Sequence, residues 1–488
     1  MAGWWGDRIR RPDWVLAGAG LGLYLALTLA RWRRGEAPSL DLAIFEQAVK
    51  GYAGFAPPIV DIKGPGANQL GDHFSPILAL LAPFYRVFPT PVTLLVAQCV
   101  LVALSIAPVA SAARRRLGKP AGFCLGGAYL LSWGLQTGVD AQFHEYAFAV
   151  PMIAFALAAA LDRRWTAAAW WAAATLTVKE DMALTVVAFG AVMAVHGWTR
   201  QRRAGAATVR AGAVGGEEPV WQREWRVGVA LALAGGLAGA VIFGLVMPYF
   251  RGGGWYYWEK LDQTGGGLGL IVGILSPPVK LKTLALVSAV TLGAAWFSRW
   301  SLVAVPTLAW RFASSDPAHW GTTWHYSMIL MPIMFLAAVD AVARWRASER
   351  RWARGIGHLI PPLGAAFALA AVAWFPLADL AKPATYAAPE RAAQAERVLA
   401  AIEPGASVAS DRGLIVRLAT EHVVYWLGDY PELVRPDYVL LDPLSGWSGD
   451  PGPADAFAES VYGGDYELVE GLGQADDPSA YRLARRLP

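Results

Sequence analysis

The amino-acid sequence predicts an all-α polytopic membrane protein with a small α/β domain at its C-terminal end. Hydrophobic residues make up 55% of the 488 residues and charged residues only 16%, which is too apolar for an ordinary soluble domain. Uncharged runs long enough to cross a bilayer recur up to about residue 380. Beyond that point Gly, Pro and acidic residues become more frequent and the long apolar runs end. These observations predict a membrane domain, 1–380, and a polar domain, 381–488.

The apolar runs fall into two length classes. A transmembrane helix needs roughly 20 residues, with a range near 17 to 25. Six runs reach this length, at 14–30, 87–113, 120–139, 182–199, 227–250 and 356–378. Five shorter candidates lie at 146–161, 165–178, 283–298, 300–310 and 326–343. Together they predict 11 transmembrane helices, with 12 or 13 as the alternative.

The positions of lysine and arginine predict the orientation of these helices in the cytoplasmic membrane. Short cytoplasmic loops are rich in Lys and Arg, and placing the basic clusters there makes the N-terminus cytoplasmic. A full span at 74–89 would move the cluster that begins at Arg114 outside, so we expect a short interfacial or re-entrant helix there. The predicted outer loops are then 31–74, 136–146, 179–181, 250–281 and 311–325, followed by everything after 380.

The C-terminal region has the pattern of a small extracytoplasmic α/β domain. Short alternating segments at 407–409, 423–425 and 438–441 predict strands. Segments 389–402 and 411–419 predict helices, with Asp411 as the N-cap of the second. Across the whole chain, no basic run is interleaved with aromatic residues, so nucleic-acid binding is not predicted.

The first outer loop carries acidic residues beside apolar ones. Asp41 begins the segment Asp-Leu-Ala-Ile-Phe-Glu-Gln, and Asp72 and His73 come just before the short apolar stretch. A carboxylate at the membrane surface is suited to act as a general base toward a hydroxyl or as a metal ligand. The alternative for Asp41 is that it caps a helix, a role that Ser39 could also fill.

Two further clusters follow in the predicted outer loops. Asp140 and His144 are four residues apart, a spacing that places both on one face of a helix, and Glu145 follows. A hydrated polar loop is the alternative. Lys179, Glu180 and Asp181 form a tight corner between two apolar runs. They suit phosphate and metal binding, or equally an ion-paired helix start.

Aromatic residues mark two later outer loops. Trp255, Tyr256 and Tyr257 lie between two glycine runs, and His325 and Tyr326 end the next loop. Adjacent aromatic side chains could stack on a sugar, whereas the alternative is an interfacial aromatic belt.

These motifs together resemble a bacterial and archaeal membrane family known as domain of unknown function 2079. The resemblance rests on the segment from Asp41 to Gln47, then His73-Phe-Ser-Pro76, Phe143-His144, Lys179-Glu180-Asp181, His325-Tyr326 and Tyr438-Val-Leu-Leu-Asp442. Glu145 is a departure, because proline is expected there. That family is in turn similar to the GT-C class of integral-membrane glycosyltransferases, which take a sugar from a polyprenyl-phosphate carrier at the outer face. The resemblance therefore implies a GT-C-like helical bundle.

The resemblance also implies roles for the candidate residues. An acidic residue in the first outer loop is typical of the class and matches Asp41, the predicted catalytic base of an inverting transfer. Expected partners are a polyprenyl-phosphate-linked sugar, membrane lipid and a glycan, lipid or protein acceptor. The expected cofactor is a divalent metal (Mg, Mn or Zn) or none. The candidates for substrate or phosphate binding are Lys179, Arg251, Trp255, Tyr256, Tyr257, His325 and Tyr326, and those for holding a metal or orienting the acceptor are Asp72, His73, Asp140, His144, Glu145, Glu180 and Asp181.

Two other functions compete with a transferase. A transporter or lipid flippase would use intramembrane carboxylates and histidines near the bilayer midplane, whereas the ionisable residues here lie at the ends of the apolar runs. A sugar or lipid receptor would use mainly the outer domain. Ionisable side chains gathered in a cavity beside a lipid groove would favour the transferase.

Overall fold

The computed structural model describes residues 9–36, 40–211, 220–253, 273, 276–387, 389, 391–472 and 477–488. Its first part is helical, and a five-stranded sheet follows near the C-terminal end, so the predicted fold class is confirmed. The helices up to residue 371 are α1 Arg11–Arg33, α2 Asp41–Ala53, α3 Gln69–Asp72, α4 Ala82–Val87, α5 Pro91–Leu117, α6 Lys119–Leu130, α7 Trp133–Asp140, α8 Tyr146–Leu161, α9 Trp165–Ala174, α10 Met182–Ala211, α11 Val220–Val241, α12 Met247–Arg251, α13 Pro278–Ala289, α14 Val305–Ala313, α15 Leu330–Arg346 and α16 Arg351–Ala371.

Six helical segments of the described chain are long and apolar enough to cross a membrane. They are Arg11–Arg33, Pro91–Leu117, Met182–Arg203, Gln222–Arg251, His325–Arg346 and Arg351–Trp374. Other predicted spans are shorter or interrupted. The run at 120–139 is divided into α6 and α7, and the run at 300–310 begins as the 3-10 helix Arg299–Ala304 before α14. The total of 11 to 13 transmembrane helices therefore stays a prediction.

Helices α8 and α15 form the centre of the membrane domain. Every residue of α15 from 330 to 339 is buried, as expected for a helix that is apolar on all sides. Helix α8 packs against α5, α9 and α15, and its seven alanines allow close approach. Helices α10 and α11 also pair closely, because a Cβ atom on Gly190 would lie 2.4 Å from the backbone nitrogen of Ala232.

The stretch predicted as a short interfacial helix is short in the structure. It consists of the 3-10 helix Pro76–Leu81 followed by α4, and then α5 begins at Pro91 with Thr90 as its cap. Two consecutive short elements do not reach the length of a span. Its depth in the membrane stays a prediction.

The C-terminal domain is a mixed sheet flanked by helices. The strands are β1 Ser407–Ser410, β2 Val423–Trp426, β3 Tyr438–Leu441, β4 Tyr466–Leu468 and β5 Arg482–Arg486, in the spatial order β2-β1-β3-β5-β4. Pairs β1/β2 and β1/β3 are parallel, and β3/β5 and β5/β4 are antiparallel. The helices are α17 Ala392–Ala400, α18 Ile415–Leu418 and α19 Ala454–Tyr462.

The first three strands confirm the sequence-based prediction, but one helix does not. The predicted helix 411–419 is limited to α18, whose N-cap position is Leu414. Asp411 instead accepts hydrogen bonds from the backbone of Gly413 and Asp442 and from the Trp447 indole. Its prediction as a helix cap is therefore wrong, because its carboxylate binds the loop after β3.

Helix α2 lies between the membrane domain and the C-terminal domain. The Gln47 Nε2 donates to the Val424 carbonyl at 3.2 Å, and the Thr420 hydroxyl donates to Glu46 Oε1 at 2.6 Å. On the membrane side, the Tyr85 hydroxyl donates to the same Glu46 oxygen at 2.7 Å. The helix that begins with Asp41 is thus held from both sides.

Candidate functional site

A cavity of about 480 Å³ opens where α2, α10, α11 and the 310–326 segment meet. We call it the Asp41 cavity. One part of its wall is ionisable and the other part is apolar, from α10 and α11. The charged or titratable residues of the first part are Asp41, Lys63, His73, Lys179, Glu180, Asp181, Asp316 and His319. The aromatic residues Tyr146, Trp310 and Tyr326 also line the cavity. The apolar wall includes Ala183, Leu184, Val187, Gly235, Gly236, Gly239, Ala240 and Phe243.

Asp41 is the first residue of α2, and its side chain is 39% exposed to the cavity. The N-cap position of the helix is Leu40, so Asp41 is not its capping residue. Oδ2 lies 3.2 Å from His144 Nε2. The carboxylate is therefore both accessible and oriented by a buried imidazole.

Two histidines stand behind Asp41. The rings of His144 and His325 are stacked with centroids 3.5 Å apart. His144 Nδ1 lies 3.1 Å from the Gln142 carbonyl oxygen, and the His144 backbone N–H donates to Gln98. Among the described residues, neither ring nitrogen of His325 has a hydrogen-bond partner. This stack fixes the position of the imidazole that contacts Asp41.

Lys179 is the centre of a buried ionic cluster. Its Nζ lies 2.6 Å from Glu145 Oε1 and 5.2 Å from the centre of the Tyr146 ring. The Tyr146 hydroxyl donates to Asp181 Oδ2 at 2.7 Å. Burial lowers the pKa of Lys179, but the carboxylates of Glu145, Glu180 and Asp181 outweigh it and raise the pKa overall. The ammonium is therefore charged at the edge of the cavity.

Glu180 connects this corner to the loop that carries Asp72 and His73. Its carboxylate lies 2.9 Å from His73 Nδ1 and accepts the backbone N–H of Phe74. Burial opposes a low pKa at Glu180, but His73 and its hydrogen bond lower the pKa below its ordinary value. Asp72 lies next to His73, 3.4 Å from the Nζ of Lys63. The loop that carries Asp72 and His73 and the corner Lys179-Glu180-Asp181 are thus joined by alternating acidic and basic side chains.

Asp181 differs from its neighbour. Burial, together with the charge of Glu180, raises the pKa of Asp181 to about 7, although Lys179 and the Tyr146 hydroxyl lower it. Carboxyl groups whose environments move their pKa values apart are typical of sites that transfer protons. The corner Lys179-Glu180-Asp181 therefore holds two adjacent carboxyl groups whose pKa values are moved in opposite directions.

Some sequence-predicted residues do not line this cavity. Helix α7 ends at Asp140 and His144 lies in the loop before α8, so the prediction that they share one helical face is wrong. Gln142 adopts a left-handed backbone, φ 67°, that breaks the helix between them. Asp140 pairs instead with Arg31. Arg251 ends α12 outside the cavity lining, with its backbone beside Gly71. Trp255, Tyr256 and Tyr257 lie outside the described residues.

The sequence reasoning missed Lys63, Glu46 and Arg311. Lys63 belongs to the same predicted loop as Asp41, but a single lysine there carried no signal. Glu46 was part of the Asp41 segment, where its proximity to a distant domain was not visible. Arg311 is buried and donates to the carbonyls of His319 and Gly321, which fixes the loop that ends at Tyr326.

The predicted divalent metal stays a prediction. Among the described residues, no group of three or more His, Cys, Asp or Glu side chains is arranged to hold a metal ion. The carboxylates near the cavity are bound to Lys179, Lys63, His73 and His144 instead. We therefore derive no chemical step through a metal.

Comparison with known proteins places the fold. ArnT from Cupriavidus metallidurans bound to undecaprenyl phosphate is similar with a TM-score of 0.55 and 13% identity, over 97% of this chain and 98% of that chain. The apo state of the same ArnT has a TM-score of 0.55 and 11% identity, over 96% of this chain and 97% of that chain. The oligosaccharyltransferase of Archaeoglobus fulgidus in its apo form has a TM-score of 0.46 and 12% identity, over 92% of this chain and 71% of that chain. At such identities the likeness to ArnT shows a shared GT-C fold alone.

Sequence comparison gives the family. No curated protein matches the chain significantly. The profile of the family described as "Predicted membrane protein (DUF2079)" matches residues 37–469, which is most of the chain and includes α2, the Lys179 corner and four of the five strands. The chain belongs to the DUF2079 family of membrane proteins.

Proposed function

We propose that this protein is a membrane glycosyltransferase that moves a sugar from a polyprenyl-phosphate carrier to an acceptor hydroxyl at the outer face of the membrane. The proposal rests on one observation. The Asp41 cavity joins a charged wall to an apolar wall made by two membrane helices. A lipid-linked sugar phosphate has the same two-part character, with a polar head and a hydrocarbon tail.

The apolar wall suits the hydrocarbon of a polyprenyl chain. Gly235, Gly236 and Gly239 of α11 and Ala183 and Leu184 of α10 line it, and the two helices touch there, since a Cβ atom on Gly239 would lie 3.1 Å from the Cβ of Ala183. A Cβ atom on Gly236 would meet nothing within 4 Å, so this side of the groove is open. The ArnT structure with undecaprenyl phosphate shares the fold at a TM-score of 0.55. This likeness supports a lipid-phosphate carrier as the donor.

The charged wall supplies the groups that the transfer needs. The Asp41 carboxylate accepts the proton of the acceptor hydroxyl, and the acceptor oxygen forms a bond to the anomeric carbon. The bond between that carbon and the phosphate oxygen breaks, and its electron pair leaves with polyprenyl phosphate. Lys179 and Lys63 stabilise the departing phosphate charge. A single displacement of this kind inverts the anomeric configuration.

The test is a donor panel with purified protein in lipid. Polyprenyl-phosphate sugars are incubated with the protein, with and without divalent metal, and the release of polyprenyl phosphate is measured. Since positioned general bases contribute roughly 10²- to 10⁴-fold, Asp41→Asn should lower turnover by about that factor. Asp162→Asn is the matched control, because this carboxylate pairs with Arg115 and lies outside the cavity lining.

The outcomes separate the competing functions. Turnover of at least one donor that depends on Asp41 and not on Asp162 supports the transferase. Turnover that is equal in the Asp41→Asn variant would refute the role of Asp41 as base. Failure to turn over any donor, combined with movement of labelled lipid between the leaflets of a vesicle, would favour a flippase instead.

A further inference from the structure

A second and larger cavity lies where the membrane domain meets the C-terminal domain. Its volume is about 840 Å³. The end of α1, the segment around α17 and the loops after β1 and β3 form its walls. We call it the basic cavity, after its five arginines, Arg33, Arg34, Arg391, Arg412 and Arg417. It shares no lining residue with the Asp41 cavity.

The charges of the basic cavity are not balanced. Among the described residues, Glu396 and Asp442 are the carboxylates in its lining, so five guanidinium groups face two carboxylates there. Asp442 is bound by Arg391 at 2.8 Å, and Arg34 pairs with Glu36 outside the cavity lining. Within the part of the chain that the structure describes, Arg33 and Arg412 form no ion pair. Like charges gathered in one concavity attract counter-ions strongly.

The walls of this cavity are preorganised. Arg391 lies 3.8 Å above the centre of the Tyr481 ring while Asp442 holds its other side. Arg417 donates to the Trp32 carbonyl at 3.0 Å, which fixes the C-terminal domain against the end of α1. Arginines fixed in this way lose little side-chain entropy when they bind a ligand. Arg391 and Arg417 are therefore held in place before a ligand binds, whereas Arg33 and Arg412 are exposed.

Arg33 and Arg34 lie at the C-terminal end of α1 and line the cavity. They end α1 at the side predicted to face outward, where short loops usually carry few basic residues. Arg412 lines the same cavity, so an anion there would be attracted by all three guanidinium groups. The guanidinium fork matches phosphate oxygens in pairs, and arginine is favoured where planar, two-point recognition of phosphate matters.

We propose that the basic cavity binds a phosphate group, as a monoester or diester, of a ligand distinct from the one in the Asp41 cavity. Arg33 of α1 and Arg412 after β1 supply the guanidinium groups that have no ion pair among the described residues, and Arg391 and Arg417 supply the fixed ones. The ligand is either a soluble phosphorylated molecule or the headgroup of an anionic lipid. The inference is independent of the proposed transfer reaction, because it concerns different residues and a different cavity.

The test measures binding of pyrophosphate to the full-length protein in maltoside micelles, which contain no phosphate. Isothermal titration gives the affinity and a thermal melt gives the shift in Tm. Arg33→Gln combined with Arg412→Gln should weaken pyrophosphate binding at least tenfold and abolish the Tm shift. Because neither side chain forms an ion pair or hydrogen bond with the described residues, the double variant should fold with a ligand-free Tm at or above that of wild type.

Two further variants control for charge and for folding. Arg397→Gln removes one arginine of α17 that does not line the cavity, and it should bind pyrophosphate as wild type does. Arg33→Lys with Arg412→Lys keeps both charges but loses the forks, so an intermediate affinity is expected. If the glutamine variant fails to fold, the lysine variant carries the comparison.

A second part of the experiment, in which lipids are added to the micelles, identifies the source of the phosphate. Phosphatidylglycerol added to the micelles should weaken pyrophosphate binding by competition if the natural occupant is a lipid headgroup, and a galactolipid without phosphate should not. Unchanged binding in both lipids supports a soluble phosphorylated ligand. Wild type that binds no pyrophosphate in phosphate-free micelles, or a double variant that binds it equally well, would overturn the proposal.

Discussion

The two cavities use charge in opposite ways. In the Asp41 cavity each of Lys63, His73 and Lys179 lies within 4 Å of a carboxylate. In the basic cavity Arg33 and Arg412 have no carboxylate partner among the described residues. A paired cluster holds its own geometry, whereas an unpaired cluster gains from a ligand of opposite charge. The comparison teaches that the two cavities differ in how their charges are paired as well as in how many they carry.

The largest effect is expected from removing the cation at the centre of the paired cluster. Lys179→Met leaves Glu145 buried with no cation beside it. Breaking a buried pair on one side costs roughly 3–5 kcal/mol, so we expect the free energy of unfolding to fall by about this amount in a denaturation series. Adding Glu145→Gln should restore part of the loss. Equal stability of Lys179→Met and wild type would contradict the pairing.

A smaller effect is expected at Glu46, on the helix that carries Asp41. Burial raises the pKa of Glu46 from its ordinary value of 4.5 to about 7, against the hydrogen bonds from Thr420 and Tyr85. The contribution of the Glu46 carboxyl to the free energy of unfolding is therefore complete below about pH 4.5 and is lost as pH rises through about 7. The change is roughly 3 kcal/mol, at 1.36 kcal/mol for each pKa unit. Wild type should therefore lose Tm between about pH 5 and about pH 8.

The Glu46→Gln variant tests this pH dependence directly. A neutral amide keeps an oxygen that accepts from Thr420 and Tyr85, so its Tm should change less with pH. At pH 5 the two proteins should have similar Tm values, and at pH 9 the variant should be the more stable. Parallel Tm curves for the two proteins would show that the carboxyl of Glu46 does not titrate in this range.

The apolar wall of the Asp41 cavity can be changed without touching its charges. Gly236→Leu places a side chain in the open groove, so we expect KM for a polyprenyl-phosphate donor to rise about tenfold, or 1.4 kcal/mol, with kcat less affected. Gly244→Leu is the matched control, because a Cβ atom there also meets nothing within 4 Å and it does not line the cavity. An equal rise in KM for both variants would indicate a general effect on the helix.

The smallest expected effect is the change in the stability of the basic cavity with salt concentration. The Debye length falls from about 10 Å at 0.1 M to about 3 Å at 1 M, so added NaCl screens the repulsion between Arg33 and Arg412. Wild type in phosphate-free buffer should gain up to about 1 kcal/mol of stability with salt. Arg412→Gln should gain less. A salt response that is the same in both proteins would place the effect elsewhere in the chain.

Local patterns predicted the elements well but not every contact. The long apolar runs predicted α1, α5, α10 and α11, because a bilayer demands length and apolarity from a single segment. The strands β4 and β5 were missed, since one has three residues and the other contains three arginines. The left-handed backbone of Gln142 ended the helix expected to join Asp140 to His144, and no rule of spacing reveals such a residue.

Tertiary neighbours separated by hundreds of residues were beyond any local pattern. The topology expected from Lys and Arg grouped Asp41, His73 and Lys179 on one face, and the structure brings them around one cavity. The basic cavity needs Arg33 beside Arg412, which are brought together only by the docking of the C-terminal domain. The catalytic and binding roles of all these residues stay predictions.

The attachment of α2 to the C-terminal domain has a consequence for biosynthesis. Glu46 and the Thr420 that binds it are 374 residues apart in the chain. At roughly 5 to 20 residues per second, a ribosome needs about 20 to 75 s to make the segment between them. During that interval the helix that begins with Asp41 is already made, but its covering domain is absent. The Asp41 cavity is therefore among the last parts of the molecule to mature, and a chain that stops before Thr420 would contain Asp41 without the partner that holds its helix in place.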